Sequence, residues 1–321
     1  MHASATAHPN VALIKYWGKR DEADNLPAVG SISVTLGALT TETSVEFDGG
    51  LQHDVLVLNG QELVAEQPRL AACMDALRRL GNDQRYAAVT STNDFPTGAG
   101  LASSASGYAA LVTAAAAAIG LEASDPRLLD IARIGSGSAP RSMFGGFVLL
   151  RNADHGTVCE QILRPEDWPL KVVVAVTTDE QKSITSRVGM EKSRLTSAYY
   201  DAWVESHRTD MRQALTYVRH KDFSSLAELA EYNCLKMHSV MMTTRPPLIY
   251  WLPETLACMR KVRELRADGV PVFFTVDAGP QVKAVCLPTA THAVADALRE
   301  IPGVRRIITS DLGEGVRQLT Q

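Results

Sequence analysis

The first half of the chain is rich in short stretches in which apolar and polar residues alternate. Residues 31–36 and 43–47 show this period of two, which is typical of strands with one buried face. Asn59-Gly60 lies between two further apolar stretches and predicts a tight hairpin. Residues 68–80 have helical periodicity instead. This half is therefore predicted to form sheets with a few helices.

Helical periodicity dominates the second half of the chain. Residues 183–219, 221–234 and 253–267 show it, with one face of each stretch more polar than the other. Short apolar stretches after residue 270 predict a small sheet that packs beside these helices.

This change of pattern predicts an α+β protein with two domains. The boundary falls near residue 180, which gives domains of residues 1–180 and 181–321. A chain of 321 residues with 45% hydrophobic content is long enough to bury a sizeable core in each domain.

Charge and cysteine content exclude several classes of protein. The net charge is −4 and the 32 basic residues are scattered, so we expect no nucleic-acid partner. Five cysteines without a CxxC pair argue against a disulfide framework and against a zinc site. Residues 1–10 lack the features of a signal peptide, and the low-polarity stretch 109–121 is too short to cross a bilayer. We therefore expect a cytoplasmic protein without membrane contact.

A segment rich in Gly and Ser precedes an alanine-rich helix. Gly98, Gly100, Ala102, Ser103 and Ser104 open this helix. Backbone N–H groups at a helix N-terminus attract anions, and glycine lets a phosphate approach closely. The spacing is neither that of a Walker loop nor that of a dinucleotide fingerprint. Taken alone, such a turn is more often structural than functional, so a phosphate site is one of two interpretations.

Four sequence blocks carry a family resemblance. Pro-x-x-x-Gly-Leu-x-Ser-Ser-Ala, which begins at Pro96, is similar to the phosphate-binding motif of the GHMP kinases. The other blocks lie within residues 10–36, 135–146 and 274–280. Together they resemble the mevalonate diphosphate decarboxylases of the GHMP kinase superfamily, in the same order and over nearly the whole chain.

The resemblance implies the two-domain GHMP kinase fold, with an active-site cleft between the domains. It also implies a reaction that uses ATP and Mg²⁺, in which the γ-phosphoryl group is transferred to the tertiary 3-hydroxyl of mevalonate 5-diphosphate. Loss of that phosphate with carbon dioxide then gives isopentenyl diphosphate, ADP and phosphate. Family members are usually homodimers, so the expected partners are a phosphorylated mevalonate and a second copy of the chain.

Three charged residues match the family's catalytic positions. Asp277 would orient or deprotonate the tertiary hydroxyl. Lys15 would pair with Asp277 and keep it ionised. Arg141 would hold the substrate carboxylate, because its planar fork suits two-point recognition. Outside this context, Asp277 is also an ordinary turn residue before Gly-Pro.

The resemblance also implies binding residues for both reactants. The positions that match substrate-binding residues are Asn10, Tyr16, Lys19, Ser136, Gly137, Ser138, Ser186, Arg187 and Met190. The positions that match ATP- and phosphate-binding residues are Pro96, Gly98, Ala99, Gly100, Leu101, Ala102, Ser103, Ser104 and Ser106. Ser104 is also the candidate Mg²⁺ ligand, since Mg²⁺ keeps much of its water and uses few protein ligands.

Some positions depart from the family pattern without removing a charged participant. Val29-Gly30 stands where Asn-Ser is common, and Pro140 stands where Cys is common. These positions flank the substrate loops, so a mevalonate monophosphate decarboxylase or a mevalonate 3-kinase is the alternative. A non-catalytic ligand-binding homologue is a further alternative, but it predicts loss of Asp277 or of the phosphate loop.

Asp277→Asn is expected to keep the fold and nucleotide binding but to lose most of the turnover. The amide has the shape of the carboxylate but cannot accept the hydroxyl proton. Steady-state turnover with ATP and substrate measures the loss, and nucleotide binding by the same variant is the control for folding. Near-normal turnover of this variant would rule out the assigned role.

Overall fold

The computed structural model describes residues 1–22, 24–63, 67–96, 100–154, 156–180 and 182–319. Within this part of the chain the protein has the predicted α+β class, with two domains that enclose a cleft. No helix in these ranges is both long and apolar enough to cross a membrane.

Strands outnumber helices in the first half of the chain. The strands are β1 (His2–Ala7), β2 (Asn10–Ile14), β3 (Lys19–Asp21), β4 (Leu26–Pro27), β5 (Ser31–Thr35), β6 (Thr41–Asp48), β7 (Val55–Leu58), β8 (Gln61–Glu62), β9 (Tyr86–Asn93), β10 (Phe147–Asn152) and β11 (Thr157–Leu163). The helices are α1 (Pro68–Gly81), α2 (Ser103–Ala118), α3 (Arg127–Gly135) and the single turn α4 (Ala139–Ser142).

Helices take up most of the second half. They are α5 (Ser186–Thr196), α6 (Tyr200–His220), α7 (Phe223–Met242), α8 (Pro253–Ala267) and α9 (Thr291–Arg299), with short 3₁₀ turns at Pro165–Asp167 and Pro288–Ala290. The strands are β12 (Lys171–Val176), β13 (Val272–Val276), β14 (Val282–Cys286), β15 (Arg306–Asp311) and β16 (Arg317–Leu319).

The strands form three main sheets. Their orders are β16-β1-β6-β9-β7-β8, β11-β10-β5-β2 and β13-β14-β12-β15, and β3 pairs with β4 in a small ribbon. Pairing is antiparallel apart from β7 with β9. The half-buried alternation predicted for residues 43–47 is confirmed in β6, where every second side chain is buried. The same prediction for residues 31–36 is wrong, because every side chain of β5 is buried between its neighbours in the structure.

Small side chains fix the position of α2. Ala105, Ala109, Ala110 and Ala114 are fully buried, and the helix packs against β1 and β6. Alanine combines the highest helix propensity with a side chain short enough for close approach of a helix to a sheet. The N-terminus of α2 is thereby held at the cleft.

One hydrophobic cluster joins the two domains. Leu13 and Val34 of the N-terminal domain belong to it, as do Leu226 and Phe273 of the C-terminal domain and Val174 of β12, a strand in the sheet of β13, β14 and β15. All of these side chains are fully buried. Because protein interiors are closely packed, this shared core holds the cleft walls at a defined spacing.

The helical stretch predicted over residues 183–219 is two helices rather than one. α5 ends before Ser197, and α6 begins at Tyr200. The Ser197 hydroxyl accepts a hydrogen bond from the backbone N–H of Tyr199 at 3.3 Å and pairs with the Thr243 hydroxyl at 2.7 Å. Serine competes for backbone groups in this way, which favours a turn over a continuous helix.

Strand pairing crosses the expected division at residue 180. β12 precedes that point but pairs with β14 and β15 of the C-terminal domain. β16 ends the described chain but pairs with β1 of the N-terminal domain. The domain limits of residues 1–180 and 181–321 stay a prediction. β12 and β16 each belong to a sheet on the other side of that limit from their place in the sequence.

Candidate active site

The cleft between the domains has a volume of about 540 Å³ and is strongly cationic. Its wall includes residues from the segment after β2, the start of α2, the turn between α3 and α4, the start of α5 and the turn after β13. Among the described residues this wall carries one carboxylate, Asp277, and the cations Lys15, Lys19, Arg69, Arg141, Lys182 and Arg187. Such a wall suits a ligand with several negative charges, although the whole chain has a net charge of −4.

Two buried lysines bracket the Asp277 carboxylate. Lys15 Nζ lies 2.6 Å from Asp277 Oδ1, and Lys283 Nζ lies 3.3 Å from Oδ2. Both lysine side chains are 1% exposed, whereas that of Asp277 is 26% exposed and lines the cleft. The carboxylate is therefore bound by the two lysines on its buried side and accessible to a ligand on the side that lines the cleft.

These partners determine the charge of Asp277. Burial by itself raises the pKa of a carboxyl, but attraction to Lys15 and Lys283 outweighs it and holds the pKa of Asp277 well below its usual range. Asp277 is ionised throughout the neutral pH range. A carboxylate with its pKa held low in this way accepts hydrogen bonds but binds a proton only weakly.

Helices of the C-terminal domain hold the segment that carries Lys15. The Lys15 backbone N–H donates to Asn233 Oδ1 at 2.7 Å, and the Trp203 indole N–H donates to the Trp17 carbonyl at 3.0 Å. Asn233 Nδ2 in turn donates to Asp210 Oδ2 at 2.6 Å. The position of Lys15 in the N-terminal domain thus depends on α6 and α7.

Arg141 is held by its own set of hydrogen bonds. Its Nε donates to Asn10 Oδ1 at 2.9 Å and its Nη1 to the Ser31 hydroxyl at 2.7 Å. Asn10 Nδ2 also donates to the Ser142 hydroxyl at 2.7 Å and to the Ser138 carbonyl at 3.2 Å. Arg141 is 4% exposed yet lines the cleft, so the guanidinium plane is oriented before any ligand arrives.

The described part of the Gly/Ser segment before α2 has an unusual backbone. Gly100 has a φ of +83°, and an added Cβ would lie 3.2 Å from the Gly279 Cα in the turn after β13. Ala102, the residue before α2, has a φ of +57°. Alanine adopts this left-handed conformation rarely, at a cost of about 1–2 kcal/mol. Strain of this kind often marks a ligand-binding loop.

A second serine loop lies beside the first. The Ser104 and Ser136 hydroxyls are 3.3 Å apart, and those of Ser136 and Ser138 are 3.0 Å apart. Between them, Gly137 has no room for a side chain, because an added Cβ would lie 2.7 Å from the Tyr16 hydroxyl. Burial, opposed by the Arg141 charge, raises the pKa of Tyr16 to about 12, so its phenol stays a hydrogen-bond donor.

The start of α5 forms the opposite wall. Ser186, Arg187 and Met190 line the cleft there. Lys182 Nζ donates to the Ser186 hydroxyl at 2.7 Å and to the Ala278 carbonyl at 2.9 Å. Arg187 Nη2 donates a hydrogen bond to the Glu22 carbonyl of the N-terminal domain at 3.3 Å. This wall therefore places two cations, Lys182 and Arg187, at the cleft, and Arg187 contacts the N-terminal domain.

The structure brings most of the sequence-predicted residues together, but not all. Asn10, Lys15, Tyr16, Lys19, Gly100, Ala102, Ser103, Ser104, Ser136, Gly137, Ser138, Arg141, Ser186, Arg187, Met190 and Asp277 line the cleft. Leu101 is buried in the shared core, Pro96 lies outside the cleft wall, and Ser106 is fully buried with its hydroxyl 2.6 Å from that of Thr41. Gly98 and Ala99 lie outside the described residues.

Sequence reasoning missed Lys182, Lys283 and Asn233. Lys283 interrupts the apolar strand Val282–Cys286, in which every residue is buried, and a lysine at such a position was the available signal. Asn233 sits in a helix and Lys182 in a loop, where polar residues are common, so the local sequence contains no comparable signal. Arg69 and Thr185 also line the cleft and were not predicted.

The fold and the site together define an enzyme of the GHMP kinase type that acts on phosphorylated small molecules. Residues 7–160 match the diphosphomevalonate decarboxylase-like N-terminal domain, and residues 172–315 match the mevalonate 5-diphosphate decarboxylase C-terminal domain. The chain belongs to the diphosphomevalonate decarboxylase family.

Curated relatives and solved structures agree with this assignment. Diphosphomevalonate decarboxylase of Candida albicans is 35% identical over 99% of this chain and 98% of its own length, and that of Rattus norvegicus is 35% identical over 92% and 79%. Mevalonate diphosphate decarboxylase from Staphylococcus aureus superposes with a TM-score of 0.93 at 38% identity, covering 99% of this chain and 98% of its own. A structure described as MDDEF in complex with MVAPP, AMPPCP and magnesium gives a TM-score of 0.91 at 36% identity, covering 100% and 99%.

Arg141→Lys is expected to reduce kcat/KM about tenfold to several hundredfold. This reduction corresponds to a loss of about a few kcal/mol of transition-state stabilisation. A lysine cannot reproduce the fixed guanidinium plane that Asn10 and Ser31 hold. Steady-state kinetics with both reactants varied measure the effect. Arg164→Lys is the matched control, because Arg164 is 61% exposed and pairs with Glu166 and Asp167 away from the cleft. If the Arg141→Lys variant matches the wild type, Arg141 does not grip the substrate.

The activity is expected to fall as the pH rises through about 8. Burial lowers the pKa of Lys19 to about 8, with the Arg187 charge adding to the effect, and burial likewise lowers the pKa of Lys182 to about 8. Each lysine is protonated below that pH and neutral above it, so the empty cleft loses affinity for anions on the alkaline side. The pH profile of kcat/KM at constant ionic strength measures this fall, which is the alkaline limb of the profile.

Arginine at both positions would remain charged, so the Lys19→Arg/Lys182→Arg variant should move the alkaline limb to higher pH. The wild type measured in the same buffers is the reference. If the alkaline limb of this variant falls at the same pH as that of the wild type, other groups control the loss of activity.

Proposed function

We propose that this chain catalyses the ATP-dependent decarboxylation of mevalonate 5-diphosphate to isopentenyl diphosphate. The observation that carries the proposal is the Asp277 carboxylate, bracketed by Lys15 and Lys283, in a cationic cleft where Arg141 and the start of α2 meet. Membership of the diphosphomevalonate decarboxylase family supports the same reaction.

In this proposal the two ends of the substrate bind to different groups. Arg141 holds the carboxylate, and the Tyr16 phenol donates a hydrogen bond beside it. The diphosphate binds to Lys19, Ser136 and Ser138 on one wall and to Ser186 and Arg187 on the other. All seven side chains line the same cleft, which supports the assignment. Binding at both ends fixes the tertiary hydroxyl between them.

Asp277 then positions the tertiary hydroxyl for phosphoryl transfer. The hydroxyl oxygen forms a bond to the γ-phosphorus as the bond from that phosphorus to the ADP oxygen breaks. The hydroxyl proton moves toward Asp277 late in this step, because a loose transition state needs little deprotonation at its start. Lys15 and Lys283 keep the carboxylate charged and in place until then.

The second step breaks two bonds in the substrate. The C–O bond to the new phosphate breaks, and the phosphate leaves with that electron pair. The bond between the methylene carbon and the carboxylate breaks as well, and its electron pair becomes the carbon–carbon double bond while carbon dioxide departs. Phosphorylation is needed because hydroxide is a poor leaving group and phosphate is a good one.

A second cavity, of about 190 Å³, is the proposed site of the nucleotide base. It shares Ser103 and Ser104 with the cleft and is lined largely by apolar side chains, among them Leu56, Val89 and Leu111. A base placed there would direct its phosphates along the start of α2 into the cleft. The helix N-terminus favours anions, and the backbone conformations of Gly100 and Ala102 fit such a cradle.

The residues present fit Mg²⁺ held mainly by phosphate oxygens. Across the described part of the chain, no group of three or more His, Cys, Asp or Glu side chains is placed to hold a metal ion. Ser104 lies where both cavities meet, so its hydroxyl is the proposed protein ligand. Bound with ATP, Mg²⁺ would neutralise charge on the phosphates.

We also propose that the protein is a cytoplasmic homodimer. The family resemblance is the support for the dimer. All five cysteines are buried free thiols, in keeping with a reducing compartment.

The mevalonate diphosphate is expected to exceed the monophosphate in kcat/KM by roughly tenfold or more, taking one lost charged contact as about 1.4 kcal/mol or greater. The remote phosphate helps to position the hydroxyl. Parallel assays with ATP and each substrate, with the products identified, measure the ratio. Equal or better use of the monophosphate would make the protein a mevalonate monophosphate decarboxylase, and a phosphorylated product without carbon dioxide would make it a mevalonate 3-kinase.

The Arg187→Gln variant tests whether Arg187 binds the terminal phosphate of the substrate. Arg187 is 42% exposed at the cleft wall, so the substitution removes a charge without opening a cavity in the core. It should lower kcat/KM for the diphosphate and leave that for the monophosphate nearly unchanged. An equal effect on both substrates would place Arg187 away from the terminal phosphate.

A further inference from the structure

Lys283 is a charged residue within an apolar strand. It occupies the second position of β14, in which every side chain is buried, and it is itself 1% exposed. Burial lowers the pKa of Lys283, while the Asp277 charge opposes that effect. An unpaired ammonium group at such a site would be strongly unfavourable, so its partners account for its presence.

These partners belong to two different parts of the site. Lys283 Nζ lies 3.3 Å from Asp277 Oδ2 and donates to the Gly100 carbonyl at 2.8 Å. Asp277 lies in the turn after β13, whereas Gly100 belongs to the phosphate loop before α2. One ammonium group thus joins two loops that come from different domains.

The backbones of the two loops also lie close together. An added Cβ on Gly100 would lie 3.2 Å from Gly279 Cα, closer than an ordinary contact. Gly279 is two residues after Asp277. A shift of the phosphate loop would therefore move the Gly100 carbonyl relative to both Lys283 and the catalytic turn.

We propose that Lys283 is a positioning residue that couples the phosphate loop to the Asp277 carboxylate. It does not line the cleft, so it acts on the reaction through these two partners. The proposal rests on the proposed function, because it takes Asp277 as the carboxylate that meets the hydroxyl and the loop as the binding site of the ATP phosphates.

The coupling has a direct physical basis. Lys15 holds only one oxygen of Asp277, at 2.6 Å, and a carboxylate held at one oxygen remains free to turn about its last torsion. Lys283 holds the other oxygen and fixes this angle. The same group binds the Gly100 carbonyl and thereby fixes the orientation of the peptide that follows Gly100, just before α2. Loss of Lys283 should therefore impair both nucleotide binding and the reaction itself.

The test uses a double-mutant cycle in the 321-residue chain. The four proteins are the wild type, Lys283→Met, Asp277→Asn and the double variant. Methionine keeps the length and the apolar stem of lysine and removes the ammonium group. The measurements are the Kd of a non-hydrolysable ATP analogue with Mg²⁺ by calorimetry, kcat with both reactants saturating, and the thermal midpoint of unfolding.

Lys283→Met should raise the Kd of the nucleotide analogue about fivefold or more and lower kcat about tenfold or more, the range expected for residues in direct contact. In the Asp277→Asn background the effect on kcat should shrink to less than about twofold, since Lys283 acts on turnover through that carboxylate. The effect on nucleotide Kd should persist there. A purely structural role would not produce this split.

Either of two results would overturn the proposal. An unchanged nucleotide Kd in Lys283→Met would show that the ammonium group does not organise the loop. Losses in kcat that multiply in the double variant would show that Lys283 acts independently of Asp277. If Lys283→Met does not fold, Lys283→Gln takes its place in the cycle, because it removes the charge, retains polarity and is judged by the same two results.

Control measurements separate this proposal from the proposed function. Lys171→Met is the matched lysine control: it lies on β12, the neighbour of β14, and pairs with Asp311 at the surface. It should leave both Kd and kcat unchanged. If the wild type itself neither binds the nucleotide nor releases phosphate, the proposed function fails. If the wild type is active and the cycle gives either contrary result, only the role of Lys283 fails.

Discussion

The buried contact between Asp277 and its two lysines is the interaction on which the site depends. Lys15 follows a strand of the N-terminal domain, whereas Asp277 and Lys283 come from the sheet of the C-terminal domain. None of the three charges could be buried alone without a large cost, so each requires the others in place. Packing of the two domains around the shared core therefore brings these three charges together.

The surrounding structure serves to hold these charges in one geometry. Asn233 and Trp203 bind the backbone of the Lys15 segment, and Asn10 and Ser31 bind the guanidinium of Arg141. These contacts leave few side chains to rearrange when a ligand enters. Sites organised in advance lose less free energy on binding and stabilise developing charge better than flexible ones.

Glycine and alanine give the loops their close approach. An added Cβ on Gly137 would lie 2.7 Å from the Tyr16 hydroxyl, and one on Gly100 would lie 3.2 Å from Gly279 Cα at a backbone φ of +83° that disfavours any side chain. Buried alanines let α2 pack closely on its sheet, which fixes the helix end that borders both cavities. The cationic cleft thus brings together groups from at least five chain segments, while the chain as a whole remains acidic. Charge is concentrated by folding rather than by composition.

The sequence by itself determined the fold class, the family and the main charged residues of the site. Strand alternation, helical periodicity and four short motifs are local signals, and Lys15, Arg141 and Asp277 each lie within such a motif. The tertiary structure alone decided which sheet β12 and β16 join, because pairing partners far apart in sequence leave no local pattern. It also decided the contact of Lys283 with Gly100, across 183 residues, and the support of Lys15 by Asn233, across 218. A residue's type and neighbours in the chain indicate that it can carry charge, but only packing decides which opposite charge it meets.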